Sequence, residues 1–197
     1  MSTLQTNLLN VGLYQLGWFS CVLGAAWGHP LAGAALAVLL LLAHLYLVVE
    51  RPAELQLMLA ACLIGVGVDS LQQGLGLFTF RPDPAWPFWL PAWVFVIWAQ
   101  FATLFHYALR WLAGRDLLAA LFGLVGGPLA YWGGIRLGAA SFGENPPLTL
   151  AVLALVWALV TPTLLWLSHT RFTACGLYRL FNNPKNSSQP PADQVTP

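Results

Sequence analysis

The chain has 197 residues, 58% of them apolar and only 8% charged, where a soluble domain carries about 25% charged residues. Eight Lys or Arg and seven Asp or Glu cannot cover a 21.4 kDa globule in water, and a mean hydropathy of +0.70 belongs to a chain whose solvent is lipid. A net charge of +1 with dispersed cations leaves no basic stripe for nucleic acid, so the expected partner is membrane lipid.

Six stretches have about the 20 apolar residues that a membrane-crossing helix needs: Leu8 to Trp27, Leu31 to Val49, Leu57 to Phe78, Trp89 to Leu109, Leu117 to Leu137, and Leu148 to Leu167. The expected fold is an all-α, polytopic transmembrane helix bundle of six spans. Arg51, Arg110, Arg115, Arg171, Arg179 and Lys185 fall on the side shared by both termini, against Arg81 and Arg136 on the other. By the positive-inside rule both termini are then cytoplasmic. The boundary between the first two spans rests on Gly28-His29-Pro30 alone. The first span reaches the small run Gly24-Ala25-Ala26 but has no basic residue before it, so it reads as a retained helix rather than a signal peptide.

Between the third and fourth spans, Thr79 to Phe88 reads as a proline-punctuated loop leading into Trp89, Pro91 and Trp93, an aromatic belt at headgroup depth. After the transmembrane domain, 1–168, an interfacial segment is expected over 169–181 and a disordered cytoplasmic tail over 182–197. The two halves of the chain show no inverted repeat, which counts against a carrier.

The third span carries the main polar signal. Asp69, Gln72 and Gln73 stand at i, i+3 and i+4 on one helix face, which Gly65 and Gly76 continue. A carboxylate facing lipid costs several kcal/mol, so Asp69 is expected to face the bundle interior. It reads either as a site for a proton, a cation or a polar headgroup, or as an interhelical hydrogen-bond cluster. Arg136 in the fifth span is its expected partner unless it extends to lipid phosphate. Tyr131 lies in the same span, five residues before Arg136, and the two share a site only if a kink or a neighbouring helix brings them together. Gly123 with Gly127 and Gly134 with Gly138 form two G-x-x-x-G spacings that predict close helix packing, and Pro128 predicts a kink between them. On this reading Gly127→Leu harms packing more than Gly143→Leu in the outer loop.

His44 and His106 fall toward the cytoplasmic ends of their spans without a metal-ligand spacing, and read as satisfied structural histidines. Cys21, Cys62 and Cys175 form no C-x-x-C pair and read as small hydrophobes. No nucleophile elbow, Walker loop or dinucleotide fingerprint is present, so no cofactor, metal or catalytic residue is assigned.

Three segments together resemble an uncharacterised bacterial integral-membrane family known only as a domain of unknown function. They are Tyr14-Gln15-Leu16-Gly17-Trp18-Phe19, Gly65-Val66-Gly67-Val68-Asp69-Ser70, and Gly123 to Tyr131 with its Gly-Gly-Pro-x-Ala-Tyr pattern, followed by Arg136-Leu137-Gly138-Ala139. The resemblance covers residues 7 to 168. It implies a multi-pass protein of the bacterial inner membrane, an accessory or scaffold in envelope lipid modification or stress response. Asp69, Gln72, Gln73, Tyr131 and Arg136 form the expected binding centre of such a protein, with a membrane-protein partner or homo-oligomer to complete it. The alternative is a small proton-coupled carrier in which Asp69 exchanges protons.

Overall fold

The computed structural model describes residues 2–86 and 88–170. Each apolar run becomes an α-helix: α1 Thr3–Ala26, α2 Pro30–Leu47, α3 Arg51–Gly74, α4 Ala92–Ala102, α5 Asp116–Leu137 and α6 Pro146–His169. All but α4 are long and apolar enough to cross a membrane. Local chemistry sets the ends. Pro stands in the first turn of α2, α3 and α6, where its missing N–H has no helical partner to lose. Ser2 and Gln5 form a capping box on α1. Gly28, at φ 81°, makes the turn that separates α1 from α2, so the boundary at Gly28-His29-Pro30 is real.

The distribution of side chains is the reverse of a soluble protein's. Leu36, Leu39, Leu63, Leu121, Leu155 and Leu159 are exposed on helix faces, whereas Asn10, His44, Glu54, Asp69 and Gln100 are buried. Lipid solvates the first set and the bundle's own donors and acceptors serve the second. Glycines let backbones close up where helices cross. A Cβ on Gly33 of α2 would strike the Ser20 carbonyl of α1, and one on Gly123 of α5 would strike the Trp157 carbonyl of α6. The second G-x-x-x-G spacing is not a packing pair: Gly138 ends α5 in the left-handed region, at φ 96°, and a Cβ on Gly134 would meet no atom within 4 Å.

The fourth expected span departs from a regular helix. α4 has 11 residues, about 16 Å at 1.5 Å per residue and half of the roughly 30 Å hydrocarbon core. The chain continues through turns with i→i−3 hydrogen bonds to a 3₁₀ turn at Arg110–Leu112. Two side chains account for the break. The Thr103 hydroxyl donates back to the Gln100 carbonyl (2.7 Å), and Asn10 of α1 serves the unwound backbone, its Nδ2 donating to the Thr103 carbonyl (3.1 Å) and its Oδ1 accepting from the Ala108 N–H (3.4 Å). Non-helical backbone at this depth persists only where other protein groups satisfy it.

A second departure is a two-stranded antiparallel ribbon where loops are expected. Strands β1 Phe78–Phe80 and β2 Ala140–Phe142 pair Phe78 with Phe142, Thr79 with Ser141 and Phe80 with Ala140. Phe78 and Phe80 point inward and Thr79 outward, the period-2 alternation of a strand. Gly143 extends the ribbon, its N–H donating to the Leu77 carbonyl (2.8 Å), and a Cβ there would run into the Gly76 carbonyl. Gly143 is therefore a packed position, as Gly127 is, and not the open loop position that the expected contrast between them supposes. The ribbon marks one end of the bundle. At the other, Thr6 and Thr170 line a common groove, so α1 starts and α6 ends on the same side. Beyond residue 170, the expected interfacial segment and tail lie outside the described residues, as does Cys175.

Candidate functional site

Asp69 sits in the last turns of α3, 1% exposed, between α4 and α5. The Trp98 indole N–H of α4 donates to its Oδ2 (2.8 Å), and the Tyr131 hydroxyl of α5 donates to its Oδ1. An indole N–H only donates, so Oδ2 is an acceptor whatever the proton on the other oxygen does. No Lys, Arg or His among the described residues pairs with this carboxyl group.

Glycines build the donors' seats. A Cβ on Gly65, one turn before Asp69, would collide with the Trp98 indole, and a Cβ on Gly127, one turn before Tyr131, would collide with that of Trp157. The two indoles stack, with ring centroids 5.0 Å apart and planes within 10°. Two helix notches and one indole stack thus fix the Trp98 N–H against the carboxylate.

Behind Asp69 lies a cavity of about 70 Å³. α1 contributes Trp18, α4 contributes Trp93 and Phe101, the ribbon contributes Phe80 as a roof, and Tyr131 and Trp157 close the far wall. Trp93 is therefore a cavity residue and not part of an interfacial belt, whereas Phe88 and Trp89 beside it are exposed. The α5 backbone at Gly134 borders the empty space directly. Trp18 and Ala130 are half-buried where α1 meets α5, flanked by exposed Phe19, Leu129 and Trp132. The cavity thus adjoins a seam on the lipid-facing surface.

The other expected site residues separate. Gln72 is buried one turn beyond Asp69, with Nε2 donating to the Val68 carbonyl (3.4 Å) and Oε1 without a partner. Gln73 turns to the connection after β1: its Nε2 donates to the Trp89 carbonyl (3.1 Å) and its Oε1 accepts from the Phe80 N–H (3.1 Å). It holds the roof and does not touch Asp69. Arg136 is exposed, with its guanidinium 5.9 Å from the Trp132 ring centroid, and makes no ion pair with Asp69. The five-residue step from Tyr131 to Arg136 keeps them on different faces, because α5 runs through Pro128 as one helix.

A second polar cluster occupies the opposite end. Glu54, 2% exposed in the first turn of α3, places Oε1 2.8 Å from His106 Nδ1 and Oε2 3.4 Å from His44 Nε2. His106 Nε2 lies 3.1 Å from the Ser168 carbonyl, which only accepts, so this nitrogen carries a proton. The cluster joins α2, α3, the turns after α4 and α6, and borders the groove shared by Thr6 and Thr170. His106 is satisfied within the fold, and His44 meets Glu54 through Nε2. Their common carboxylate is a residue that the sequence reading missed.

Residues 7–163 match a family described as protein of unknown function, DUF2878. The chain belongs to this family. It matches no curated protein and no solved structure. In this DUF2878 protein both polar clusters lie within the matched residues, apart from the Ser168 carbonyl.

The two clusters of the DUF2878 chain offer different chemistry. His106 has both ring nitrogens occupied, so the Glu54 cluster is a hydrogen-bonded network that clamps helices. Asp69 faces a cavity and keeps a spare lone pair on each oxygen, so its cluster can take a further donor or cation. Among the described residues, no group of three or more His, Cys, Asp or Glu is arranged to hold a metal ion.

Proposed function

We propose that this DUF2878 protein is a multi-pass protein of the bacterial inner membrane that acts as an accessory in envelope lipid modification, receiving a lipid group in the cavity at Asp69. The observation that carries the reading is the cavity itself: an aromatic chamber beside a lipid-facing seam, ending on a buried carboxylate. A chamber with apolar walls and one convergent polar group is the usual form of a small-ligand site. No soluble domain accompanies the helices among the described residues, so a modifying enzyme in the same membrane is the natural partner. Both termini are cytoplasmic in this reading, and the ribbon faces outward.

The test is lipid-resolved mass spectrometry of a deletion strain complemented with wild type, Asp69→Asn or Gly134→Leu, the last filling the cavity from the α5 backbone. Wild type restores a specific lipid and neither variant does. An unchanged lipidome in the deletion strain refutes the reading.

The competing reading is a small proton-coupled carrier, favoured by one observation. Glu54 and Asp69 are buried carboxyl groups on the same helix, about 22 Å apart along its axis at 1.5 Å per residue. Proton flux into liposomes that is lost in both Asp69→Asn and Glu54→Gln would establish it in place of the first.

A further inference from the structure

The lining of the Asp69 cavity is unusual in holding seven aromatic rings and a single carboxyl group. We infer that it binds an alkylammonium group, the amine or quaternary ammonium carried by a zwitterionic lipid headgroup or by a free amino alcohol. The inference rests on the lipid-accessory reading above and names the chemistry that its site accepts.

Each alternative occupant fails on a named feature. An acyl chain would fit the rings but would seal the carboxylate against hydrocarbon, with only the Trp98 and Tyr131 donors to serve it. An anionic headgroup would meet a like charge. Calcium and magnesium take six or more oxygen ligands, whereas the side-chain oxygens in this wall are those of Asp69 and Tyr131 alone. An organic ammonium uses what is present. Aromatic faces attract a cation within about 6 Å of the ring centroid, and the spare lone pairs of Asp69 accept from an N–H or face a methylated nitrogen.

One further observation agrees. The volume of about 70 Å³ is several times the roughly 10–15 Å³ that admits one water, enough for a small headgroup fragment.

The test uses the full chain, purified in detergent, and native mass spectrometry with phosphatidylethanolamine, phosphatidylcholine and phosphatidylglycerol of identical acyl chains. The two ammonium lipids are retained at least about tenfold better than phosphatidylglycerol, the size of one desolvated cation site. Asp69→Asn and Gly134→Leu abolish the preference, and the melting temperature of Gly134→Leu stays near that of wild type. Should Asp69→Asn fail to fold, Gly134→Leu carries the comparison, since its backbone borders open space. Choline and ethanolamine, titrated without lipid against tryptophan fluorescence, separate the two sources: a response to the free amines marks an amino alcohol ligand, and a response only to lipid marks a headgroup. Equal retention of all three lipids, abolished by Gly134→Leu, overturns the ammonium inference and leaves the lipid site standing. Retention of none, with no response to the free amines, overturns both. A preference for ammonium lipids that survives both variants places the binding elsewhere and overturns the inference as well.

Discussion

Gly65→Ala tests whether a missing methyl group positions the indole that holds Asp69. The new Cβ would stand among Cγ, Cδ2 and Cε2 of Trp98, and overpacking of this kind costs about 1–3 kcal/mol. Relief requires the indole to withdraw, which forfeits its hydrogen bond to Asp69, about 1.5–3 kcal/mol for a bond to a charged group. Alanine's helix preference returns roughly 0.5–1 kcal/mol. The net loss is about 1.5–5.5 kcal/mol, or roughly 3–20 °C in melting temperature for a chain of this size. Gly67→Ala is the control: it lies two residues along the same helix, exposed, with nothing within 4 Å of its Cβ. It should leave the melting temperature unchanged or slightly raised. The assay is thermal unfolding in detergent, followed by tryptophan fluorescence, which also reports displacement of Trp98. Melting of Gly65→Ala within about 2 °C of Gly67→Ala would refute the notch.

Asn10→Leu leaves the Thr103 carbonyl and the Ala108 N–H without their side-chain partner, a loss of about 1–3 kcal/mol for each stranded group; a melting temperature equal to wild type would show that the unwound turn does not depend on α1. Glu54→Gln and His106→Asn should each destabilise the protein, and the double variant should fall short of their sum by roughly 1–3 kcal/mol, because both break the same buried contact; a double-mutant cycle in denaturant measures this, and strict additivity would contradict it. Gly143→Ala, aimed at the Gly76 carbonyl, should cost about 1–3 kcal/mol, whereas Gly126→Ala, whose nearest atom is Phe122 Cε1 at 3.9 Å, should be neutral in the same melting assay.

The apolar runs predicted helices in the right order because lipid demands long uninterrupted hydrophobic segments, and that demand is written residue by residue. Asp69 and Tyr131 were legible for the converse reason: a polar group in such a run needs a protein partner. Which partner it finds is a property of how helices rotate about one another, and a single helix wheel holds no information about that. Asp69 was accordingly matched to Arg136 rather than to Trp98 and Tyr131. Trp98 and Trp157 look like any other apolar residue until the facing glycines are known. Glu54 escapes a hydropathy reading because the apolar run of the third span begins at Leu57, after Glu50, Arg51 and Glu54. A signal was available: Glu54, Leu57, Met58, Ala61, Gly65, Asp69 and Gln72 follow the i, i+3, i+4, i+7 pattern of one helix face and all prove buried on α3. The ribbon left only two three-residue alternations, too short to stand out against helical neighbours. The unwinding after Ala102 depended on Asn10, 93 residues away from Thr103 in sequence.

The ribbon has a consequence for how the molecule is made. Its strands are 60 residues apart in the chain, flanking α4 and α5, so Phe80 has no strand partner until both helices have entered the membrane. The same holds for Asp69, which meets Trp98 when α4 arrives, Tyr131 only with α5, and the Trp157 stack last of all. During N-to-C synthesis the carboxyl group is inserted well before its surroundings exist. The chamber is complete only once α6 has brought Trp157 into place, and a chain halted after α4 lacks its Tyr131 and Trp157 walls.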